Sequence, residues 1–248
     1  MFILLARMKR SIFAWAIISL VSSSLFISGC EKEEQQYQSI TVTDRDGNIY
    51  HTVKIGSQIW LKENLKTEIG LNIEDPWDWC ASSSGNCNDP GMGAWVYYEN
   101  DSVYDNAYGK LYNYWAIGTA NNICPVGFHV PEMSEWQELI ESLGGEIDQY
   151  GRDTIAGDKL KEEGDEHWGD ENTGTNESGF SALPGGYRAG YEFGGMGNSG
   201  HWWVYSKPDL WGYYIPRNIN IGGYNKKMIS FGYFPDWIEG YSIRCIKD

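Results

Sequence analysis

Basic residues are scarce in this sequence of 248 residues, where 19 Lys and Arg stand against 34 Asp and Glu. Three of the basic residues, Arg7, Lys9 and Arg10, precede Cys30, and no acidic residue does. The chain from Cys30 onward therefore carries 16 basic and 34 acidic residues, a net charge of −18. A surface of this sign repels nucleic-acid phosphates and anionic lipid headgroups. The composition argues against a nucleic-acid-binding protein.

The sequence also lacks paired metal-binding cysteines. Its five cysteines include no C-x-x-C pair, so a zinc site with four thiolate ligands is disfavoured. What the sequence has instead is aromatic residues and glycine, with 12 Trp, 17 Tyr and 30 Gly. This mixture is typical of short strands joined by long ordered loops, and not of a helical bundle.

The N-terminal segment has the order of a secretory signal. The basic segment Met8-Lys9-Arg10 precedes an apolar run at 12–27 that ends in Ile27-Ser28-Gly29-Cys30. This ending resembles the bacterial lipobox, in which small residues precede a cysteine that receives diacylglycerol and further acyl chains such as palmitate. The sequence predicts a signal peptide at residues 1–29 and a lipid on Cys30, since two or more acyl chains anchor a protein stably. The alternative is an uncleaved signal anchor of about 18 residues, near the lower limit for a spanning helix.

Residues 30–38 are predicted to be a lipidated acidic tether. Glu31-Lys32-Glu33-Glu34 is a solvated segment, and it resembles the signal that sends lipoproteins to the cell surface in Bacteroidetes-type bacteria. No Asp follows Cys30, which fits sorting to the outer membrane. We therefore expect a chain anchored by lipid in the outer membrane and facing the cell exterior. Two tripeptides, Asp101-Ser102-Val103 and Asp153-Thr154-Ile155, resemble the O-glycosylation motif of such bacteria.

Four cysteines remain when Cys30 carries lipid: Cys80, Cys87, Cys124 and Cys245. An even number in an exported chain indicates disulfides, with three connectivities open. The six small and polar residues between Cys80 and Cys87 make a loop soft enough to close, so we favour Cys80–Cys87 together with Cys124–Cys245.

Helical periodicity is confined to a few stretches. Residues 133–143 place apolar side chains at helical spacing, Glu135 suits the positive N-terminal end, and Gly144 suits a stop. Residues 108–117 and 155–162 are predicted to be shorter helices.

Strands are predicted in most of the remaining chain. Residues 49–55 alternate as a half-buried strand does, with Ile49, Val53 and Ile55 on one side. Residues 71–92 contain Pro76 and Pro90 and are predicted to be a surface insertion. Short aromatic segments between Gly-rich turns follow at residues 179–188, 201–206, 213–221, 227–231 and 241–246.

A family resemblance rests on many ordered blocks. They are Val42-Thr43-Asp44, Asp46-Gly47-Asn48, Glu63-Asn64-Leu65, Tyr108-Gly109, Cys124-Pro125, Glu135-Trp136, Gly179-Phe180-Ser181-Ala182-Leu183-Pro184-Gly185-Gly186-Tyr187-Arg188, Trp202-Trp203 and Gly240-Tyr241-Ser242-Ile243-Arg244-Cys245. Together they resemble the Fibrobacter succinogenes major paralogous domain, here at residues 39–248 with the insertion at 71–92.

The resemblance implies an α+β, C-type-lectin-like fold that is also similar to formylglycine-generating enzymes. Such a domain has short antiparallel strands, two to three helices and long Gly-rich loops. Members of the family are mostly exported lipoproteins without an assigned activity.

Enzyme chemistry finds little support in these residues. A formylglycine-generating oxidase needs two reactive cysteines near a substrate groove, whereas Cys124 and Cys245 belong to the structural pattern and Cys80 and Cys87 to the insertion. No spacing selects a carboxylate pair for hydrolysis. The sequence therefore predicts no catalytic residue and no cofactor.

A metal site also finds little support in the sequence. Sugar-binding C-type lectins hold calcium with Glu-Pro-Asn or Gln-Pro-Asp, and Lys207-Pro208-Asp209 matches neither. Asp165, Glu166, Asp170 and Glu171 offer a calcium cage, but we favour a solvated acidic loop and predict no metal.

A recognition module is the function that these residues favour. Flat aromatic rings stack on sugars and anchor protein interfaces, and a Gly-rich region carries a set of them where lectin-like folds have variable loops. The expected ligand-binding residues are Tyr187, Arg188, Tyr191, Phe193, His201 and Trp202. The expected ligand is a glycan or a surface protein. The alternatives are that rings such as Tyr187 and Trp202 are core residues, and that the protein is a passive structural component of the cell surface.

The lipid anchor has a direct genetic test. Cys30→Ala removes the acceptor sulfur, so the precursor is expected to stay unprocessed and to incorporate no labelled fatty acid. Cys80→Ala is the matched control and is expected to label normally. Processing and labelling of the Cys30→Ala chain at the level of the natural chain would contradict lipidation.

Overall fold

The structure is a computed structural model that describes residues 38–68, 71–72, 93–118, 123–169, 171–207, 210, 215–233, 235–236 and 238–248. These residues belong to a compact unit, Tyr37–Asp248, which is distinct from Met1–Gln36. The predicted signal peptide, Cys30, the acidic tether up to residue 37, and Cys80–Cys87 lie outside the described residues, as does the insertion from residue 73 to residue 92. No helix among the described residues combines the length and the apolar character that crossing a membrane requires.

Short strands and short helices alternate along the described chain. The strands are β1 (Thr41–Thr43), β2 (Ile49–Ile55), β3 (Gln58–Leu61), β4 (Leu71–Asn72), β5 (Ala94–Val96), β6 (Leu111–Tyr112), β7 (Phe128–His129), β8 (Arg152–Asp153), β9 (Gly185–Ala189), β10 (Glu192–Met196), β11 (Ser199–Val204), β12 (Arg217–Gly222), β13 (Ile229–Tyr233) and β14 (Ile246–Lys247). The helices are α1 (Asp105–Tyr108), α2 (Trp115–Gly118), α3 (Met133–Ser142) and α4 (Ala156–Leu160), with 3-10 turns at Tyr98–Asn100 and Ser102–Tyr104. The predicted α+β class is confirmed.

Three sheets organise these strands. The first has the order β1-β2-β3-β14-β7 and is antiparallel, so the first and last described strands of the chain share it. The second has the order β10-β9-β11-β12-β13-β8, and its one parallel pair joins β9 to β11 at Gly186 and Gly200. The third is the small sheet β4-β5-β6.

Helix α3 forms as its sequence predicts. The Glu132 side chain accepts from the backbone of Glu135, and the Glu135 side chain accepts from the Glu132 backbone N–H at 2.8 Å, a reciprocal capping box. Trp136, Leu139 and Ile140 are buried on one face. The short helix α4 lies within the stretch predicted at residues 155–162.

The prediction of a helix at residues 108–117 is wrong. This stretch contains the end of α1, then β6 and then α2. Gly109 has φ of +70° and ends α1, and its position leaves no room for a Cβ, which would lie 2.6 Å from the Leu65 carbonyl oxygen. Leu111 and Tyr112 then pair with β5, because the tertiary pairing outweighs the weak helical periodicity.

The face of strand β2 that its alternation predicts to be buried is buried only towards the end of the strand, where Ile55 is 5% exposed and Val53 packs against the core. Ile49 is 63% exposed, whereas Tyr50 and Thr52 are buried. The Tyr50 hydroxyl donates to the Asp44 carboxylate at 2.8 Å and accepts from the Lys66 backbone N–H at 2.9 Å. Because these partners satisfy the buried hydroxyl, the large ring lies in the core at little polar cost.

Two buried clusters form the core between the sheets. One contains Tyr112, Tyr114, Trp203 and Tyr241, and the other contains Trp60, Trp136, Phe180 and Trp202, with aliphatic residues around both. In the second, the rings of Trp60 and Trp136 lie 4.8 Å apart and that of Trp202 lies 6.2 Å from Trp136. This core therefore takes much of the aromatic content of the sequence.

A buried polar cluster, formed by Asn64, Trp202 and Arg244, connects the two ends of the domain. Arg244 is 1% exposed and donates through Nε and Nη2 to Asn64 Oδ1, at 3.1 and 2.8 Å. Its Nη1 donates to the Phe180 carbonyl oxygen at 2.8 Å, and its guanidinium lies over the Phe180 ring. The Trp202 indole N–H donates to the same Asn64 oxygen at 2.8 Å.

The predicted disulfide between Cys124 and Cys245 is confirmed, with the two Cα atoms 6.0 Å apart. It joins the segment before β7 to the segment before β14, so it clamps the two strands that pair at one end of the first sheet. The two cysteines are 121 residues apart in sequence. In the chain-entropy model, a loop of this length stabilises the fold by about 4–5 kcal/mol.

Candidate functional site

Four aromatic side chains and one histidine form a continuous row, which we call the aromatic row: Phe193, Tyr98, Tyr104, Tyr108 and His167. Successive ring centroids lie 5.3, 5.5, 6.4 and 5.5 Å apart along it. Most of these contacts are tilted or edge-on, an arrangement that aromatic quadrupoles favour. Strand β10, two 3-10 turns with helix α1, and the loop after α4 each contribute to the row.

The aromatic row is only partly covered by protein. Tyr98 is buried at 8% exposure, while Phe193, Tyr104, Tyr108 and His167 are half-buried. Two side chains close to members of the row in sequence are exposed. Val103, next to Tyr104, is 69% exposed, and Tyr191, two residues before Phe193, is 62% exposed. The row therefore combines rings that are held in place with ring surface that is open to a ligand.

The backbone beneath the row holds an uncommon conformation. Glu99 and Asn100 have φ of +51° and +57°, in the left-handed region that side chains with a Cβ rarely adopt. The turn closes through the Asp101 N–H to the Tyr98 carbonyl at 3.0 Å, and the Asp101 carboxylate accepts from the Val103 N–H at 3.0 Å. This turn brings the rings of Tyr98 and Tyr104 together. Left-handed residues of this kind cluster at functional sites.

Glycine allows strand β9 to pass close to the row. Gly186 has φ of +67°, and a Cβ there would lie 2.3 Å from the Gly194 carbonyl oxygen and 2.9 Å from the Tyr98 ring. A larger residue would push Tyr98 and β10 apart. The Gly185-Gly186 pair of the sequence therefore positions the Phe193 end of the row.

The other end of the row is acidic. His167 Nδ1 lies 2.7 Å from Glu162 Oε2, and Glu162, Glu166 and His167 offer three ligand atoms that all lie within 4.8 Å of one another. Among the described residues, these are the ones whose geometry suits a metal ion. The predicted calcium cage has a different composition, because Asp165 and Glu171 do not join this group and Asp170 lies outside the described residues.

Two of the expected ligand-binding residues belong to the core. Trp202 is 0% exposed and Arg188 is 1% exposed. Arg188 Nε donates to the Gly190 carbonyl at 2.9 Å, and its guanidinium lies 5.6 Å from the Phe193 ring centroid. The expectation of solvent-exposed ligand contacts is wrong for both residues, since each is held by partners inside the fold.

His201 lies between two tyrosines behind the surface. Its ring stacks on Tyr241 at 5.4 Å and meets the edge of Tyr187 at 4.9 Å. Its Nε2 lies 3.0 Å from Ser199 Oγ, and its Nδ1 is buried without a hydrogen-bond partner among the described residues. Burial lowers the pKa of His201 to about 4. His201 therefore packs as a neutral ring, and Tyr187 packs against it.

Of the expected set, Tyr191 is exposed, and Phe193 is half-buried, as Tyr187 is. Tyr98, Tyr104 and Tyr108 were missed by sequence reasoning, which assigned the Gly-rich region alone to the ligand. A signal was present, because Tyr104 and Tyr108 are four residues apart and lie on one side of a helical turn. Their approach to Phe193 is a contact between distant segments of the chain, through Tyr98, which no local pattern shows.

The buried, neutral His201 predicts a pH dependence of stability. Its pKa is about 4 in the folded state against 6.5 for an unperturbed histidine, so the unfolded chain binds the extra proton between these values. The contribution of the neutral His201 to the free energy of unfolding is complete above about pH 6.5 and is lost as the pH falls towards 4. At pH 5, the loss is about 2 kcal/mol.

The matched variant for this test is His201→Phe, which keeps a ring between the two tyrosines and removes the titrating group. Urea denaturation at pH 8 and at pH 5 is expected to show the natural chain losing about 2 kcal/mol more than the variant. Equal losses in both chains would show that His201 is protonated, and thus solvated, in the folded state.

The comparison with known protein families agrees with the resemblance that the sequence segments indicate. The family model described as the Fibrobacter succinogenes major domain matches residues 53–247. This match includes β3, the aromatic row, all three residues of the buried polar cluster and the disulfide. No curated protein and no solved structure matches the chain. Because the family model covers most of the sequence, the chain belongs to the Fibrobacter succinogenes major domain family.

Proposed function

We propose that this protein is a non-catalytic recognition module, held by lipid on Cys30 in the outer membrane and facing the cell exterior. The order of basic, apolar and small residues before Cys30, and the acidic tether after it, support the anchor and the location. The disulfide between Cys124 and Cys245 supports an oxidising compartment, since such bonds persist mainly in exported proteins.

The aromatic row is the observation that carries the recognition function. Half-buried rings in mutual contact lose little conformational freedom when a ligand packs on them, because their positions are already fixed. Contiguous apolar surface on an exported domain commonly marks an interaction site. The strained turn at Glu99 and Asn100 supports the same assignment, since this conformation costs stability at exposed positions and holds the rings of Tyr98 and Tyr104 together.

A neutral glycan is the ligand class that fits the row. The C–H faces of sugar rings pack on aromatic rings, and sugar hydroxyls donate hydrogen bonds to carboxylates such as Glu99, Glu162 and Glu166 near the row. The net charge of −18 from Cys30 onward repels anionic ligands. A carbohydrate without acidic groups meets both conditions.

The finer fold assignment, a C-type-lectin-like domain, belongs to this proposal. It is supported by the few short helices, the loop-rich sheets, and the pairing of β14 with β3, which places the last described strand in one sheet with the first three. A crystal structure of the exported domain that lacked this pairing of terminal strands would remove the support.

The test is binding of the full-length protein, purified in mild detergent, to an array of neutral glycans. Tyr104→Ala and Tyr191→Ala are each expected to weaken binding to the glycans that the array identifies by about 5- to 30-fold, or about 1–2 kcal/mol. Each variant removes one aromatic ring on which the proposed ligand packs. Both variants are expected to melt close to the natural chain.

Tyr224→Ala is the matched control, because Tyr224 is fully exposed on the turn between β12 and β13. It removes an equal ring from a different surface and is expected to leave binding unchanged. Equal losses in all three variants would contradict a site at the row. An array on which the natural chain binds nothing would contradict glycan recognition and favour a passive structural component.

A further inference from the structure

We propose that Glu162, Glu166 and His167 form a binding site for a divalent transition-metal ion of the Zn²⁺ class. The proposal concerns metal binding alone and does not depend on the glycan proposal. It rests on a histidine and two carboxylates that converge on one point of the surface, and on the loop that holds them there.

The distances suit a metal after a small adjustment. His167 Nδ1 and Glu162 Oε2 are 2.7 Å apart and share a hydrogen bond, and all three ligand atoms lie within 4.8 Å of one another. Two ligands that each lie about 2.0–2.1 Å from a tetrahedral ion are about 3.3 Å apart. An ion replaces the shared proton when the two atoms separate by about 0.6 Å, and Glu166, which is exposed, moves in to meet it.

Hydrogen bonds and a buried tryptophan fix the backbone of the loop that carries the three residues. Asn172 Nδ2 donates to the carbonyl oxygens of Glu162 and Gly164, at 2.7 and 2.6 Å. Trp168, next to His167, is 2% exposed, and its indole N–H donates to the Ala182 carbonyl at 2.9 Å. The side chains of Glu162 and His167 therefore project from a fixed backbone, so that binding of an ion costs little conformational entropy.

The ligand types select the ion. Calcium and magnesium take oxygen ligands almost exclusively, and calcium takes six to eight of them. An imidazole nitrogen with two carboxylates suits zinc and similar transition metals. The local net charge favours cation binding, because the exposed residues Glu163 and Asp165 lie in the same loop and the buried Lys161 is paired with Asp158 at 3.4 Å.

Three protein ligands leave at least one coordination position open. Sites of this kind keep a water molecule or an external ligand in the open position. The Tyr108 ring packs edge-on against His167 at 5.5 Å, so the site lies at the end of the aromatic row. A bound ion would present a Lewis-acidic centre beside that surface.

The experiment is titration of the full-length protein in mild detergent with ZnCl₂ by isothermal calorimetry. One saturable site per chain is expected. His167→Gln and Glu166→Gln are each expected to weaken it at least about tenfold, since even residues one shell away from a metal cost 10- to 100-fold when changed. Glu166 is exposed, so this second variant keeps the test valid even where His167→Gln fails to fold.

Two matched controls separate this site from general cation binding. Glu163→Gln removes an equal charge from the same loop, and His51→Gln removes a histidine that forms a similar pair with Glu63 at 2.7 Å. Both are expected to keep the zinc affinity. Excess CaCl₂ is expected not to displace the zinc.

Three results would overturn the proposal: no saturable zinc binding, zinc binding that survives both site variants, or an equal loss in the controls. Competition by calcium at the same site would overturn its assignment to a transition metal.

Discussion

The buried Arg244 is the constraint around which the domain is built. A guanidinium removed from water must have its donors satisfied, and among the described residues it finds neutral acceptors: the side-chain oxygen of Asn64 and the carbonyl oxygens of Phe180 and Leu61. Burial lowers the pKa of Arg244 to about 9, because little water reaches the guanidinium. Because an unsatisfied buried charge is so costly, these distant segments are held to one arrangement.

This arrangement extends from the buried polar cluster to the surface. Asn64 Nδ2 donates to the Tyr108 carbonyl oxygen at 2.9 Å and to Ser242 Oγ at 3.3 Å, so the residue that accepts from Arg244 also fixes the backbone at the end of α1. Trp202 supplies the adjoining wall of the core. The aromatic row thus lies on a frame that is rigid because its interior polar groups leave it few alternatives. The same frame places Tyr108 against His167 and so sets the position of the proposed metal site.

Local patterns in the sequence predicted what local physics decides. Helix α3 follows from apolar spacing with acidic residues at its start. The Cys124–Cys245 bond is favoured by an even cysteine count together with the soft loop between Cys80 and Cys87, which pairs those two with each other. Tyr50 and Trp202 could not be placed in this way, because a polar aromatic ring is buried or exposed according to whether the fold brings an acceptor to it. For Tyr50 that acceptor is Asp44, and for Trp202 it is Asn64, 138 residues away. The aromatic row is divided among three stretches of sequence, residues 98–108, His167 and Phe193, and only tertiary packing brings them together.

The most direct test of this account is a double-mutant cycle on Asn64 and Arg244, measured by urea denaturation. Asn64→Ala and Arg244→Met each leave buried polar groups without partners, and each is expected to cost about 3 kcal/mol or more. The double variant is expected to lose at least about 1 kcal/mol less free energy of unfolding than the sum of the two single-variant losses, since both changes remove the same hydrogen bonds. Arg152→Met, at an exposed arginine, is the control and is expected to change stability by less than about 0.5 kcal/mol. Strictly additive losses, or an Arg244→Met chain as stable as the control, would contradict the claim that this cluster holds the domain together.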